Sequence, residues 1–152
     1  MITVSKNIQL IEVTSQDCVE LKILMQEIYS PAYKHFWTDK GNWYVNGLYN
    51  LENIQQELKE KESGYYFVLL NSKKVGILRV LWNYPNNKLP NKKAAKLHRI
   101  YLHQGTQGKG LGKTLLNWVE NTAKNKGCKA LWLEVMDTQT QAVQFYNKLG
   151  YL

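Results

Sequence analysis

At 152 residues and 17.7 kDa the chain has the size of one domain, and it is basic, with 20 Lys and Arg against 12 Asp and Glu. Its 44% apolar and 21% charged residues supply one core and exclude a disordered or fibrous chain. The longest unbroken apolar run, Tyr65 to Leu70, is too short to span a bilayer, and Met1 to Leu10 carries no basic-then-apolar signal. These features predict a single soluble domain over residues 1–152, cytoplasmic and without a membrane partner.

Asn7 to Val13 reads as a first strand, followed by Thr14 and Ser15 as N-cap residues. Val19, Ile23 and Ile28, with Leu21, Leu24 and Met25, form a helical stripe up to Tyr29, and Pro31 should stop or kink that helix. Residues 29 to 49 are dense in aromatics, among them Tyr29, Trp37, Trp43, Tyr44 and Tyr49. They suit either a core or a ligand-facing wall, with His35 and Asp39 beside them. Asn50 can cap a helix running to Lys61, with Leu51, Ile54 and Leu58 on one face.

Tyr65–Leu70 and Val75–Trp82 are strands that the four residues Asn71 to Lys74 can join as a hairpin. Asn83 to Lys93, rich in Pro, Asn and Lys, is a loop. Ala94–Leu102 is a further strand, Leu111 to Lys126 an amphipathic helix, Ala130–Val135 a strand and Ala142 to Leu149 a last short helix. Hairpin strands followed by a strand–helix–strand unit imply a mixed sheet covered by helices.

Cys18 and Cys128 stand alone, and His35, His98 and His103 lack ligand spacing, so neither a disulfide framework nor a metal site is predicted. Eighteen of the twenty basic residues are lysines; only Arg79 and Arg99 are arginines. Arginine is the usual reader of base edges, so the charge points to an anionic ligand before a nucleic acid.

The chemically richest stretch is Gln104 to Thr114, with four glycines between a strand and an amphipathic helix. Glycines let backbone N–H groups approach a ligand, and a helix start favours an anion such as phosphate. A nucleotide-hydrolase P-loop would need its first glycine at Gln107, and the dinucleotide pattern would need one at Lys113 or Leu115. Both patterns fail.

Gln107-Gly108-Lys109-Gly110-Leu111-Gly112 instead resembles the Gln/Arg-x-x-Gly-x-Gly/Ala loop of the GNAT superfamily of acetyl-CoA-dependent N-acetyltransferases. The preceding segment, Leu97 to Leu102, resembles the strand before that loop. The later segment Ala142 to Tyr151 resembles the superfamily's A-x-x-F-Y-x-K-x-G-F helix. The resemblance covers residues 94 to 152.

It implies a GNAT-like α/β (α+β) fold: a mixed, mostly antiparallel twisted sheet with helices on both faces. It also implies acetyl-CoA as cosubstrate, no metal, and transfer to a small-molecule amine, a peptide N-terminus or a lysine, by a monomer or homodimer. The loop amides of Gln107, Gly108, Lys109, Gly110, Leu111, Gly112 and Lys113 would take the pyrophosphate. The main chain of Ile100, Tyr101 and Leu102 would take the pantetheine and acetyl groups, and Gln139 a pantetheine contact where relatives often carry Asn. Tyr146 would protonate the departing thiolate. His98 stands where relatives carry a glutamate base, and Glu134 is a second candidate for base or amine-binding carboxylate.

The aromatic segment also resembles polyamine-type members. In the superfamily two more strands follow the last helix; with this sequence ending at Leu152, either the sequence is cut short or the sheet is completed another way. The competing reading is a non-catalytic basic module for RNA or a ribosomal surface, using the lysines of 88–96 and 109–129. It requires stacking aromatics interleaved with lysines, whereas here they precede them.

Overall fold

The computed structural model describes residues 1–33, 42–89, 92–106, 108–134 and 146–147. Six strands form one sheet in sequence order: β1 (Ile2–Thr3), β2 (Ile8–Glu12), β3 (Ser63–Leu70), β4 (Lys73–Leu81), β5 (Ala94–Leu102) and β6 (Ala130–Trp132). All neighbours are antiparallel except β5 and β6, which pair parallel because α4 (Leu111–Asn125) carries the chain across between them. This is the expected mixed, mostly antiparallel sheet.

The β3–β4 turn is tighter than the four residues suggested by sequence. Asn71 and Ser72 adopt φ of 50° and 69°, the left-handed pair that matches strand twist, and Leu70 faces Lys73 directly. β3 and β4 are buried on both faces, which is why each reads as a nearly continuous apolar run.

α1 (Cys18–Tyr33), α2 (Asn42–Leu48) and α3 (Leu51–Leu58) cover one face. Leu21, Met25, Ile28, Tyr49 and Ile54 meet Tyr65, Phe67 and Ile77 there. The other face belongs to α4, whose Leu111, Leu115, Leu116, Val119 and Ala123 pack on Leu10, Val68, Leu78, Val80 and Leu97. α1 runs two residues past Pro31; near a helix end a missing N–H costs one bond at most, so proline does not stop the chain there.

Asn50 caps α3 as expected, its side-chain oxygen accepting from the Asn53 N–H at 2.9 Å. Its amide also donates to the carbonyls of Asn46 and Gly47, tying α2 to α3. Of the predicted last helix, Tyr146 and Asn147 lie among the described residues, and both are helical. No helix among the described residues is long and apolar enough to cross a membrane.

Candidate active site

Two irregularities of β5 define the site. The first is a fork: β5 pairs with β6 only over Ala94↔Ala130, Ala95↔Leu131 and Lys96↔Trp132, then continues to Leu102 without a β6 partner among the described residues. On its other edge β5 stays paired, and the His103 N–H donates to the Val75 carbonyl at 2.7 Å. Backbone groups alternate between strand edges, so the Tyr101 main chain faces β4 while Ile100 and Leu102 present theirs to the fork. Of the three candidate main-chain contacts, Ile100 and Leu102 are therefore the two on the open edge. Tyr146 is half-buried and borders the same apolar cluster as Ile100, Leu102, Leu131 and Leu133.

Beyond the strand, Gly108 and Gly110 adopt φ of 80° and 71°, and a Cβ built on either would meet nothing within 4 Å. Open space above left-handed glycines is a cradle of backbone that a side chain would fill. The Thr114 N–H makes a helical bond to the Gly110 carbonyl at 3.1 Å, so the amides of Leu111, Gly112 and Lys113 precede it and have no helical partner. Lys109 and Lys113 are exposed beside them, while the Leu111 side chain is buried in the core. Gln107 and Gln139 lie outside the described residues.

The second irregularity is a bulge. Arg79 faces Arg99 but Val80 faces Leu97, leaving His98 without a register partner. The extra residue keeps Leu97 and Ile100 toward α4 while His98 and Arg99 both line a cavity of about 290 Å³ under α3. Its remaining wall includes Glu57, Glu60, Arg79, Lys96 and Tyr84.

The chain's two arginines meet there, both buried. Glu57 clamps Arg99 with both oxygens, at 2.8 and 2.7 Å, and its second oxygen is 3.5 Å from Arg79. Arg79 also donates to the Glu57 carbonyl at 3.3 Å and lies 3.3 Å from the Glu60 carboxylate, which is half-exposed; its Nε is buried without a partner among the described residues. Burial works against the Arg99 charge, but the Glu57 hydrogen bond and the flanking Tyr49 and Tyr65 hold its pKa above the ordinary value. Burial lifts Tyr65 to about 12, so its phenol stays protonated.

His98 is not arranged as a base. Its Nδ1 lies 2.7 Å from Arg79 Nη1, and because a guanidinium only donates, Nδ1 must be the acceptor and Nε2 must carry the proton. Burial, reinforced by Arg99, Arg79 and Lys96, lowers its pKa to about 3. The second candidate, Glu134, is exposed, with Oε1 3.5 Å from Lys96 Nζ. Lys96 in turn sits over the rings of Tyr84 and Trp132.

The histidine has a consequence for stability. Between pH about 6.5 and about 3 the unfolded chain binds a proton at His98 that the folded chain refuses, so stability falls as pH drops through that window. Solvent screens part of the effect at the half-buried ring, so the slope should stay below about 1.4 kcal/mol per pH unit. Urea unfolding at pH 7.5 and 5.0 checks this, and His98→Gln should flatten the difference.

The aromatic segment divides. Tyr29 stacks on Tyr44 with ring centroids 4.6 Å apart and, like Tyr49, belongs to the core; Trp43 is exposed. His35, Phe36, Trp37 and Asp39 lie outside the described residues. The arginine–glutamate cluster was not foreseen, although two arginines among eighteen lysines, each inside an apolar strand, signal buried pairing.

Comparison with known proteins agrees with this geometry. The family model described as acetyltransferase (GNAT) family matches residues 23–151. An uncharacterised N-acetyltransferase of Methanocaldococcus jannaschii is 28% identical over 131 residues, 82% of this chain but 54% of that protein, so the match spans about half of that relative's length. An uncharacterised N-acetyltransferase of Lactobacillus delbrueckii subsp. lactis is 22% identical over 94% of this chain and 83% of its own. Among solved structures, PaiA N-acetyltransferase from Thermoplasma acidophilum, in complex with coenzyme A, aligns with a TM-score of 0.77 at 21% identity. That alignment covers 95% of this chain and 89% of the other, a likeness of fold.

Proposed function

This chain belongs to the acetyltransferase (GNAT) family, and on that premise we propose that it transfers the acetyl group of acetyl-CoA to a primary amine of a small molecule or peptide. The fork of β5 leading into the glycine cradle is the observation that carries this reading. An extended chain that ends in a pyrophosphate has, in order, an open strand edge and then a nest of free amides at a helix start. Leu111, Gly112 and Lys113 supply the amides, Lys109 and Lys113 the neutralising charge, and Ile100 and Leu102 the strand edge.

Acetyl-CoA supplies the activated thioester. The amine nitrogen bonds to the carbonyl carbon, the carbon–sulfur bond breaks, and the phenol of Tyr146 gives its proton to the departing sulfur. Backbone amides on the open edge of β5 polarise the carbonyl, and holding both reactants in one cleft supplies much of the rate. The proton from the amine leaves to solvent. The cavity under α3 opens beside the bulge and is the acceptor side of the site.

Calorimetric titration with acetyl-CoA, with ATP as control, tests the reading. Micromolar binding of acetyl-CoA alone is the expected result; folded protein that binds neither would overturn it. With a working acceptor, Tyr146→Phe is expected to lower kcat roughly tenfold to a hundredfold while leaving acetyl-CoA affinity unchanged, read by thiol release.

A further inference from the structure

The groups on the cavity wall differ in what they have left to offer. Both Glu57 oxygens are taken by Arg99, and the second also faces Arg79. Glu60 is half-exposed, and only its Oε2 approaches Arg79, so Oε1 is a carboxylate oxygen still open to a cation. The Nδ1 of His98 is committed to Arg79, which makes Nε2–H a fixed donor with no partner among the described residues. Lys96, on the same wall, is engaged by Glu134 and the Tyr84 and Trp132 rings, so it adds positive field to the wall and not a free donor. The cavity therefore sets one open carboxylate against a neutral N–H donor in a positive field.

Resting on the acetyl-transfer reading above, we propose that the acceptor is an α-amino group beside a carbonyl, as in an aminoacyl amide or at a peptide N-terminus, with its nitrogen toward Glu60 and its carbonyl oxygen toward His98. A polyamine or other plain alkylamine satisfies the carboxylate but leaves the donor wall unpaired, and burying an unpaired polar group is costly.

Proton accounting leads to the same class. Attack requires the free amine, and neither Glu57 nor His98 has a lone pair to spare for its proton. The open Glu60 oxygen is a carboxylate, a far weaker base than an alkylamine, so the site works best on an amine that is already partly neutral near pH 7.5. An α-amino group with pKa of about 7.7–8.0 meets that condition, whereas an alkylamine near about 10.4 is almost wholly protonated. Glu60 gathers the ammonium form at the mouth, the proton passes to solvent, and the nitrogen then forms its bond to the acetyl carbon as the carbon–sulfur bond breaks.

The test measures kcat/KM by thiol release at pH 7.5 for L-alaninamide, a tripeptide with a free N-terminus, isopropylamine and spermidine. Acetyl-CoA affinity is measured separately by calorimetry. After correction to the neutral amine, the aminoacyl substrates are expected to exceed isopropylamine and spermidine by at least roughly tenfold, about 1.4 kcal/mol. The amide and tripeptide arms distinguish a small-molecule acceptor from a peptide one.

Glu60→Gln, at a half-exposed position where folding is safe, should raise the amine KM several-fold with little change in kcat. His98→Leu should erase the preference for the carbonyl; if that variant unfolds, the Glu60 result decides. Equal or greater corrected rates on spermidine or isopropylamine, no turnover of any amine by protein that binds acetyl-CoA, or an unchanged KM in Glu60→Gln each overturn the proposal. Failure to bind acetyl-CoA overturns the acetyl-transfer reading itself and this proposal with it.

Discussion

Glu57→Ala is expected to destabilise the protein by about 3–5 kcal/mol, the largest stability loss of any single polar substitution in the cavity wall. The reason is what the carboxylate leaves behind. Arg99 and Arg79 are buried, and Glu57 gives Arg99 its two shortest contacts, at 2.8 and 2.7 Å. Without it Arg99 keeps a 3.5 Å approach to the Tyr65 hydroxyl and the faces of Tyr49 and Tyr65, which cannot offset a desolvated charge.

Glu60 cannot substitute, since it approaches only Arg79 and is half in water. Glu57→Gln should fall between, because an amide oxygen still accepts one hydrogen bond without balancing the charge. Urea denaturation at pH 7.5 reads both variants. A loss under about 1 kcal/mol for Glu57→Ala would mean that water reaches the arginines and that the clamp is a surface pair.

That cluster also marks where sequence reading runs out. Strands β3 and β5, helix α4 and the Asn50 cap are legible because each rests on local chemistry: apolar runs, a 3.6-residue stripe, an amide at an N-cap. The glycine cradle is legible for the same reason, since Gly108 and Gly110 sit where the backbone turns left-handed. The ion cluster joins residues 22 and 42 positions apart, and nothing local in Leu51–Leu58 says which glutamate turns inward.

His98 shows the limit most sharply. It stands where the resemblance places a base, but burial keeps the ring neutral and its tautomer is set by Arg79, which only the pairing of β4 with β5 brings alongside. β1 and α2 were missed because two residues of strand, or seven of aromatic-rich helix, carry too little periodicity to read. Pro31 failed as a stop signal since the rule applies to helix interiors and the residue lies in the last turn.

Gly76→Ala is expected to damage activity more than any change in the cavity, with kcat/KM falling roughly a hundredfold in protein that still folds. Gly76 lies on β4 opposite Leu102, the last residue of β5. A Cβ added there would run into the Tyr101 carbonyl oxygen and lie 2.7 Å from Leu102 Cδ2 and 3.1 Å from Leu102 Cα. A carbonyl oxygen and a Cα belong to the strand itself and cannot swing aside, so β5 must move away from β4 at its fork end.

Overpacking of this kind costs about 1–3 kcal/mol, which a domain of this size survives. The displaced segment, however, is the one whose Ile100 and Leu102 main chains form the open edge, and it leads directly into the glycine cradle. Gly64→Ala is the matched control: its Cβ meets the ring of Tyr66, Cε2 at 2.6 Å and Cζ at 2.7 Å, a side chain that can turn, on a strand away from the fork. It should lower stability comparably and leave kcat/KM near that of the unaltered protein. Equal losses of kcat/KM in the two variants would show that activity follows global stability and that the edge of β5 holds no coenzyme.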